Sequence, residues 1–392
     1  MTKELIRARA GELADELIAM RRHLHRHPEL SFEEHQTAAY IEKTLDSWGV
    51  RHERVAGTGI TGVIMGDKEG KYGVLRSDMD ALPMDETGTP AYRSVNPGVM
   101  HACGHDVHMA CLLGAVRILQ ENRHHLAGTI RFLFQPGEEQ LPGGAIRVLE
   151  SGLLDQPRPD FILGQHVCPE LPAGSFGFRP GLYMASTDEI FIEVRGTGGH
   201  GALPHRLIDP VLTASHVIVA LQQVISRKIP ADVPAVLSFG KFDAPGSTNV
   251  IPPQVKLEGT LRTMNEKWRK IAREEIRRTA SGIASSMGAD LECTIVPGYP
   301  SLVNDPVLTD RIMQYARTYS GNDKVTELAV RMTGEDFALY SQQFPAVFYR
   351  LGTANETANK PVHHPAFDVD ESSIPSGAGL MAFLAASLLL NP

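Results

Sequence analysis

Three short apolar runs in the first half of the chain each end on residues able to bind a metal or move a proton. GVLRSDMDAL (73–82) ends in Asp78 and Asp80, TIRFLFQPGEE (129–139) in Glu138 and Glu139, and DFILGQHV (160–167) in His166. Between the first two lies VMHACGHDVHMAC (99–111), which carries His101, Cys103, His105, Asp106 and His108 and leads into a proline-free stretch of helical apolar spacing. Gly104 lets the backbone turn sharply inside that cluster, because it has no Cβ to forbid unusual φ values. Apolar strands alternating with helices predict an α/β fold: a mostly parallel central sheet with helices on both faces. Ligands of such sheets bind beyond the carboxyl ends of the strands. The reactive groups therefore point to one divalent-metal site, with the rest of the chain as its scaffold, lid and substrate clamp.

Taken in order, residues 3–27 predict a helix with Leu5, Leu13, Leu17 and Leu24 on one side, ended by Pro28. A second helix is expected over 32–48, with Glu33 and Glu34 near its start favouring the N-terminal dipole. Strands at 59–66, 72–78, 129–134 and 161–164 follow, with helices after His108 and near 143–152. The pattern changes near residue 186. Strand 189–196, helix 209–227, strands 235–242 and 254–263, helix 266–288 and strand 289–296 give the order β-α-β-β-α-β of a ferredoxin-like split unit. An inserted domain is thus expected at 186–297, inside a discontinuous catalytic, metal-binding domain of 1–185 and 298–392. The second part should hold a helix at 305–320, a strand at 326–331, a helix beginning within 333–341, a strand at 346–352 and a closing helix from about Pro375.

Composition narrows the function classes. A chain of 392 residues is too long for one simple core. A net charge of −8 gives no electrostatic reason to bind nucleic acid. The charged, amphipathic N-terminus lacks an apolar signal region, so no secretion is expected. The run GLMAFLAASLLL (379–390) looks too short to span a bilayer and reads as a buried helix. Four cysteines without framework spacing (Cys103, Cys111, Cys168 and Cys293) suit a reducing, cytoplasmic location.

Taken singly, each candidate has a plain structural explanation: a small buried cysteine, a surface Glu–Glu pair, a satisfied strand-end histidine. Taken together, all falling after strands, those explanations fail. Cys103 and His105 offer a thiolate and an imidazole, Glu138 and Glu139 two adjacent carboxylates, and His166 and either His363 or His364 further nitrogens. That set is sufficient for two metals sharing a bridging ligand and acidifying a water, with a spare carboxylate to take the proton. His108, three residues past His105, reads as structural, as do Cys111, Cys168 and Cys293.

LRSDMDALPM (75–84), MHACGHDVHMA (100–110), FQPGEE (134–139), GGHGALPH (198–205), NVIPP (249–253), GTLR (259–262) and VHHPAFD (362–368) together resemble the metal-dependent aminoacylase–carboxypeptidase family. The resemblance is to its amidohydrolase branch, with hippurate, N-acyl-amino-acid and auxin-conjugate hydrolases. It runs from about residue 14 to 390. It implies a two-metal catalytic domain and an inserted lid that also dimerises. By that resemblance Cys103 bridges two metals (Mn²⁺ or Zn²⁺, with Co²⁺ also acceptable), and His105, Glu139, His166 and His363 complete the coordination. Glu138 is the general base and then the acid, and Asp80 orients a histidine ligand. His200 steadies the oxyanion, across a dimer, while Asn249 and Arg262 hold the substrate carboxylate. Val362 and Gly137 stand where the family more often has leucine and alanine.

The expected activity is hydrolysis of an N-acyl amino acid (hippurate-like, N-acetyl or aryl-acyl) to a carboxylic acid and a free amino acid. A dipeptidase or carboxypeptidase using the same two-metal site is the alternative. A metal-dependent binding protein on the same scaffold would require a missing base or ligand, and none is missing. The expected partners are the small-molecule substrate and a second copy in a homodimer or tetramer, with no nucleic acid and no membrane.

Overall fold

The computed structural model describes residues 1–390. The chain divides into two compact units. The first comprises Met1–Gly181, Val303–Ala329 and the chain from Asp336 onward; the second comprises Leu182–Leu302 and Val330–Glu335. The short segment 330–335 belongs with the second unit because the Ala185 N–H donates to the carbonyls of Arg331 and Thr333.

In chain order the first unit begins with helices α1 (Lys3–Glu12), α2 (Ala14–Arg26) and α3 (His35–Ser47). There follow β1 (Glu53–Val55), β2 (Gly59–Met65), β3 (Lys68–Asp78), α4 (His105–Glu121), β4 (Ala127–Gln135), α5 (Gly144–Glu150), β5 (Phe161–Pro172) and β6 (Phe176–Phe178). The second unit holds β7 (Ser186–Arg195), α6 (Pro210–Gln223), β8 (Ala235–Asp243), β9 (Gln254–Thr263), α7 (Glu266–Ser286) and β10 (Asp290–Pro297). The first unit then resumes with α8 (Pro306–Ser320), β11 (Val325–Glu327), β12 (Ala346–Ala354) and α9 (Ser373–Leu390).

The first unit's sheet has the order β1-β2-β4-β3-β5-β12-β6-β11. Its centre is parallel: β3 pairs in parallel with β4 and β5, and β5 with β12. The β2–β4 and β12–β6 pairs are antiparallel. Strands buried on both faces need continuous apolar sequence, and from Tyr72 to Asp78 every residue of β3 is buried. The helices α4 and α9 pack together beside this sheet, in one apolar cluster with α1, α2 and α8. The second unit's four strands are all antiparallel in the order β8-β9-β7-β10, with α6 and α7 in a separate apolar cluster. Asp209 and Asn265 cap the starts of α6 and α7 by accepting backbone N–H groups, as short polar side chains do at helix starts.

Several expectations need correction. The helix expected over 3–27 is two, broken at Leu13, whose ψ of −4° departs from the helical value two residues after Gly11, a weak helix former. The helix expected from residue 32 starts at His35. The stretch 333–341 is helical only over Ala338–Ser341. The strand expected at 326–331 ends at Glu327. The last helix is longer than its apolar core suggested. Its 18 residues are enough in length and composition to cross a membrane, but 78% of them are buried inside the first unit, so it is a core helix here.

Candidate metal centre

The site lies where the central strands of the first unit end. Strand β3 delivers Asp78 and then Asp80, and β4 is followed by the turn Pro136–Glu139. His166 is not at a strand end, as expected, because β5 runs on to Pro172. It lies two residues beyond the last β3–β5 pair, Arg76 with Gly164, where the two strands part. The fourth element is the turn Cys103–Gly104 opening α4. Gly104 has φ 83°, and a Cβ there would lie 2.6 Å from Val167, so both backbone and space demand glycine.

Five ligand atoms converge at this point. Cys103 Sγ lies 3.4 Å from His166 Nε2 and 3.3 Å from His363 Nε2. Glu139 Oε1 lies 3.4 Å from His363 Nε2 and 3.8 Å from His105 Nε2. Two triads, Cys103–His105–His166 and Cys103–Glu139–His363, each have ligand atoms within 4.8 Å of one another and share the thiol. Tautomers are set from behind. His166 Nδ1 lies 2.8 Å from the Val167 carbonyl and His105 Nδ1 3.2 Å from Asp80 Oδ1, so both rings donate from Nδ1 and turn Nε2 to the cluster. His105 Nε2 and Glu139 Oε1 are buried without a hydrogen-bond partner among the described residues. Orphaned buried polar atoms around a thiol fit a bound cation, which would displace any proton on His105 Nε2.

The charges agree. Burial, followed by the negative charges of Glu139, Glu138 and Asp78, pushes the Cys103 thiol well above its ordinary range. Burial opposes a proton on His105, but Asp78 and Asp80 overrule it and raise its pKa to about 10. Burial and then Arg350 hold His166 well below the usual histidine value, leaving it neutral and ready to coordinate. Three carboxylates around one thiol thus form a place that favours added positive charge, and a divalent cation there would reverse the thiol's preference.

Two of the remaining candidates also offer ligand atoms within 4.8 Å of members of this cluster: Glu138 with His105 and Glu139, and His108 with His105 and Asp78. His108 uses both ring nitrogens: Nδ1 is 2.6 Å from Asp78 Oδ1, and Nε2 accepts the Val167 N–H at 2.8 Å. His364 Nδ1 accepts the Ala366 N–H, turning that ring into its own loop. Glu138 is buried beside Glu139, its Oε1 3.4 Å from the Asp336 amide. His200, Asn249 and Arg262 belong to the second unit. His200 is exposed on a two-residue strand paired with Val250, and Asn249 accepts the Gly201 N–H through its carbonyl. Arg262 sits on β9, its pKa lowered by burial.

Sequence reasoning missed the residues behind the site. Arg76 is wholly buried and donates to Asp78 Oδ2 at 2.7 Å, to Asp336 Oδ1 at 2.7 Å and to Gln135 Oε1 at 3.0 Å. Arg21 of α2 bonds Asp106, the residue after His105, at 2.7 Å. Burial would raise the Asp106 carboxyl, but Arg21 and His25 together more than offset it and keep it charged. A lone arginine inside an apolar strand was the available signal for Arg76, since such a charge is tolerated only when paired.

The sequence profile of peptidase family M20/M25/M40 matches residues 74–387. The chain belongs to this family of hydrolases. An N-acyl-L-amino acid amidohydrolase of Geobacillus stearothermophilus is 41% identical over 305 residues, 78% of this chain and 82% of that one. Thermostable carboxypeptidase 2 of Saccharolobus solfataricus is 37% identical over 95% of both chains. Among solved M20 structures, a Bacillus subtilis protein described as a dinuclear metal-binding peptidase is 36% identical. It superposes with a TM-score of 0.82, covering 97% of this chain and 100% of that one.

Proposed function

We propose that the protein hydrolyses the amide bond of N-acyl amino acids, releasing a carboxylic acid and a free amino acid. The observation that carries this reading is the cluster of Cys103, His105, Glu139, His166 and His363 with the further carboxylate of Glu138 beside it. Two divalent ions held by those five residues would polarise the amide carbonyl and acidify a water. Glu138 takes the proton from that water and hands it to the departing nitrogen, so the hydroxyl ends on the acyl carbon and the hydrogen on the amine. Asp80 keeps His105 in the tautomer a metal needs. His200 donates to the oxygen that gains charge as the carbonyl is attacked. Asn249 and Arg262 bind the substrate's free carboxylate, the guanidinium through paired hydrogen bonds.

In this reading the unit we place at 186–297 acts as a lid and dimerises the protein, and 1–185 with 298–392 form the catalytic domain. The dimer presents His200 to its partner's site, and dimers can pair into a tetramer. A thiolate with three imidazoles suits Zn²⁺, and the carboxylates also accept Mn²⁺ or Co²⁺. The cysteine content suits a cytoplasmic location. The similarity to a named carboxypeptidase supports the second reading, a peptidase using the same two-metal site, since a peptide is itself an N-acyl amino acid.

The test is hydrolysis of benzoylglycine, acetyl-amino acids and dipeptides side by side, with and without chelator and with Mn²⁺, Zn²⁺ or Co²⁺ returned. Chelator-sensitive turnover of the acyl substrates above that of the dipeptides supports the first reading. The reverse order supports the peptidase.

A further inference from the structure

The loop between α2 and α3 touches the site at three points, none of which its own folding requires. The N-terminal amides of α3 are capped by Glu29, whose carboxylate accepts from Gln36 N at 3.1 Å and Thr37 N at 2.8 Å. Glu34, at the cap position itself, makes no side-chain cap. Its carboxylate is instead fully buried and accepts the Gly137 N–H at 2.8 Å and the Thr58 hydroxyl at 2.5 Å. Gly137 immediately precedes Glu138. It has φ 61°, and a Cβ there would overlap the Phe32 ring.

Phe32 is itself at φ 68°, a conformation that disfavours a bulky side chain. It is held there between Gly137 and the Arg147 guanidinium, 3.5 Å over its ring. Strained residues of this kind persist only where their surroundings over-determine them, and they gather at functional sites. The third contact is Ser31, whose hydroxyl donates to Asp80 Oδ2 at 2.6 Å. The same oxygen accepts the Glu139 N–H at 2.9 Å. The amides on either side of Glu138 are therefore fixed by two buried carboxylates: Glu34 holds Gly137, and Asp80, braced by Ser31, holds Glu139. The loop is tied alongside by the Ala81 N–H bond to the Glu29 carbonyl at 2.8 Å.

We infer that Glu34 is a positioning residue for Glu138, fixing the turn that aims the proton-transferring carboxylate, with Phe32 and Ser31 completing the brace. The inference rests on the reading of Glu138 as the base. Glu34 touches neither substrate nor metal ligand; it acts through one backbone amide. A buried carboxylate with no cationic partner among the described residues is a poor choice for stability alone, whereas a turn shifted by a fraction of an ångström is enough to slow a reaction that depends on orientation.

The experiment compares Glu34→Ala and Glu34→Gln in the metal-loaded enzyme, measuring kcat and KM for benzoylglycine together with metal content. It also measures amide exchange of the peptide containing Gly137 in metal-free protein. Glu34→Ala should lower kcat by roughly 10- to 100-fold, the range seen when partners behind a site are removed. KM and metal content at saturating metal should be retained, and Gly137 exchange should quicken. Glu34→Gln, which keeps an acceptor oxygen, should restore most of both. A kcat within about 2-fold of the parent in Glu34→Ala overturns the inference, as does unchanged Gly137 exchange. Equal impairment of the two variants, with equal loss of thermal stability, overturns it in favour of a purely structural charge. If the parent protein hydrolyses nothing, the exchange measurement still decides whether Glu34 holds the turn, and only the reading of the reaction fails.

Discussion

Cys103 and His363 are separated by 260 positions in the chain, yet Sγ and Nε2 lie 3.3 Å apart. Their backbones are joined one residue away, where the His363 N–H donates to the Ala102 carbonyl at 2.7 Å. That bond holds His363 at φ 63°, a costly conformation for histidine, and delivers its ring to the thiol.

Cys103→Ala should remove the shared donor of both triads. Metal affinity should fall by more than the roughly 10- to 100-fold typical of losing an outer partner, read by elemental analysis after dialysis against a metal buffer. Retention of two ions per chain at the parent's affinity would refute the bridging role.

Glu138→Ala should keep its metals and lose turnover by roughly 10²- to 10⁴-fold, the span of general acid–base assistance. Parallel measurement of metal content and kcat separates this from a ligand loss. Near-parental turnover would remove Glu138 as the base.

Arg262→Ala should weaken substrates that carry a free carboxylate by roughly 10- to 100-fold in kcat/KM, as expected for losing a hydrogen bond to a charged group of about 1.5–3 kcal/mol. The matching amide, with that carboxylate capped, should be hydrolysed by parent and variant alike. Equal losses on both substrates would count against the clamp.

The pH dependence of stability tests His25. Its ring lies 2.9 Å from Asp106 Oδ2 and 3.3 Å from Glu86 Oε1. Burial and Arg21 oppose its charge, but the two carboxylates outweigh them and raise its pKa above 6.5. A raised folded value means the folded state binds the proton more tightly. The stabilisation is complete below pH 6.5 and is lost as the pH rises through the folded value. Chemical denaturation of metal-free protein at successive pH values above 6.5 should show stability declining in the parent and a flatter profile in His25→Gln. Identical slopes would show that the pair does not titrate with folding.

Arg76→Ala should leave Asp78 and Asp336 as uncompensated buried carboxylates and destabilise the protein by about 3–5 kcal/mol. Asp336, raised to about 6 by burial despite Arg76, should then take up its proton at still higher pH. An unfolding midpoint equal to the parent's would contradict the network.

The groups gathered at the site could be read from the chain because thiol, imidazole and carboxylate types recur just past apolar runs, and a parallel sheet sends such positions to one edge. What holds them could not be read. Arg76 meets Asp336 across the whole second unit of the chain, and no local pattern encodes that pairing. By position alone Glu34 reads as a dipole-compensating residue of α3; only the capping of α3 by Glu29 shows that Glu34 is released for another task. The strand-end position expected of His166 is not the real one: the residue lies just past the point where the β3–β5 pairing ends, a property of two strands together. Between His363 and His364 the chemistry is identical, and backbone hydrogen bonds decide which ring faces the thiol.

The placement of β12 between β5 and β6 has a consequence for biosynthesis. Strand β5 has left the ribosome long before residues 346–354 exist, so its edge waits unpaired while the whole second unit is made and free to fold on its own antiparallel pairings. The proposed metal ligands are likewise split, with His363 arriving last. A nascent chain therefore holds Cys103, His105, Glu139 and His166 without their fifth companion. The first unit closes only once its final strand is threaded into a sheet already begun. Translation that stops before residue 346 would leave an open β-edge beside an incomplete side-chain cluster, a form that invites both aggregation and proteolysis.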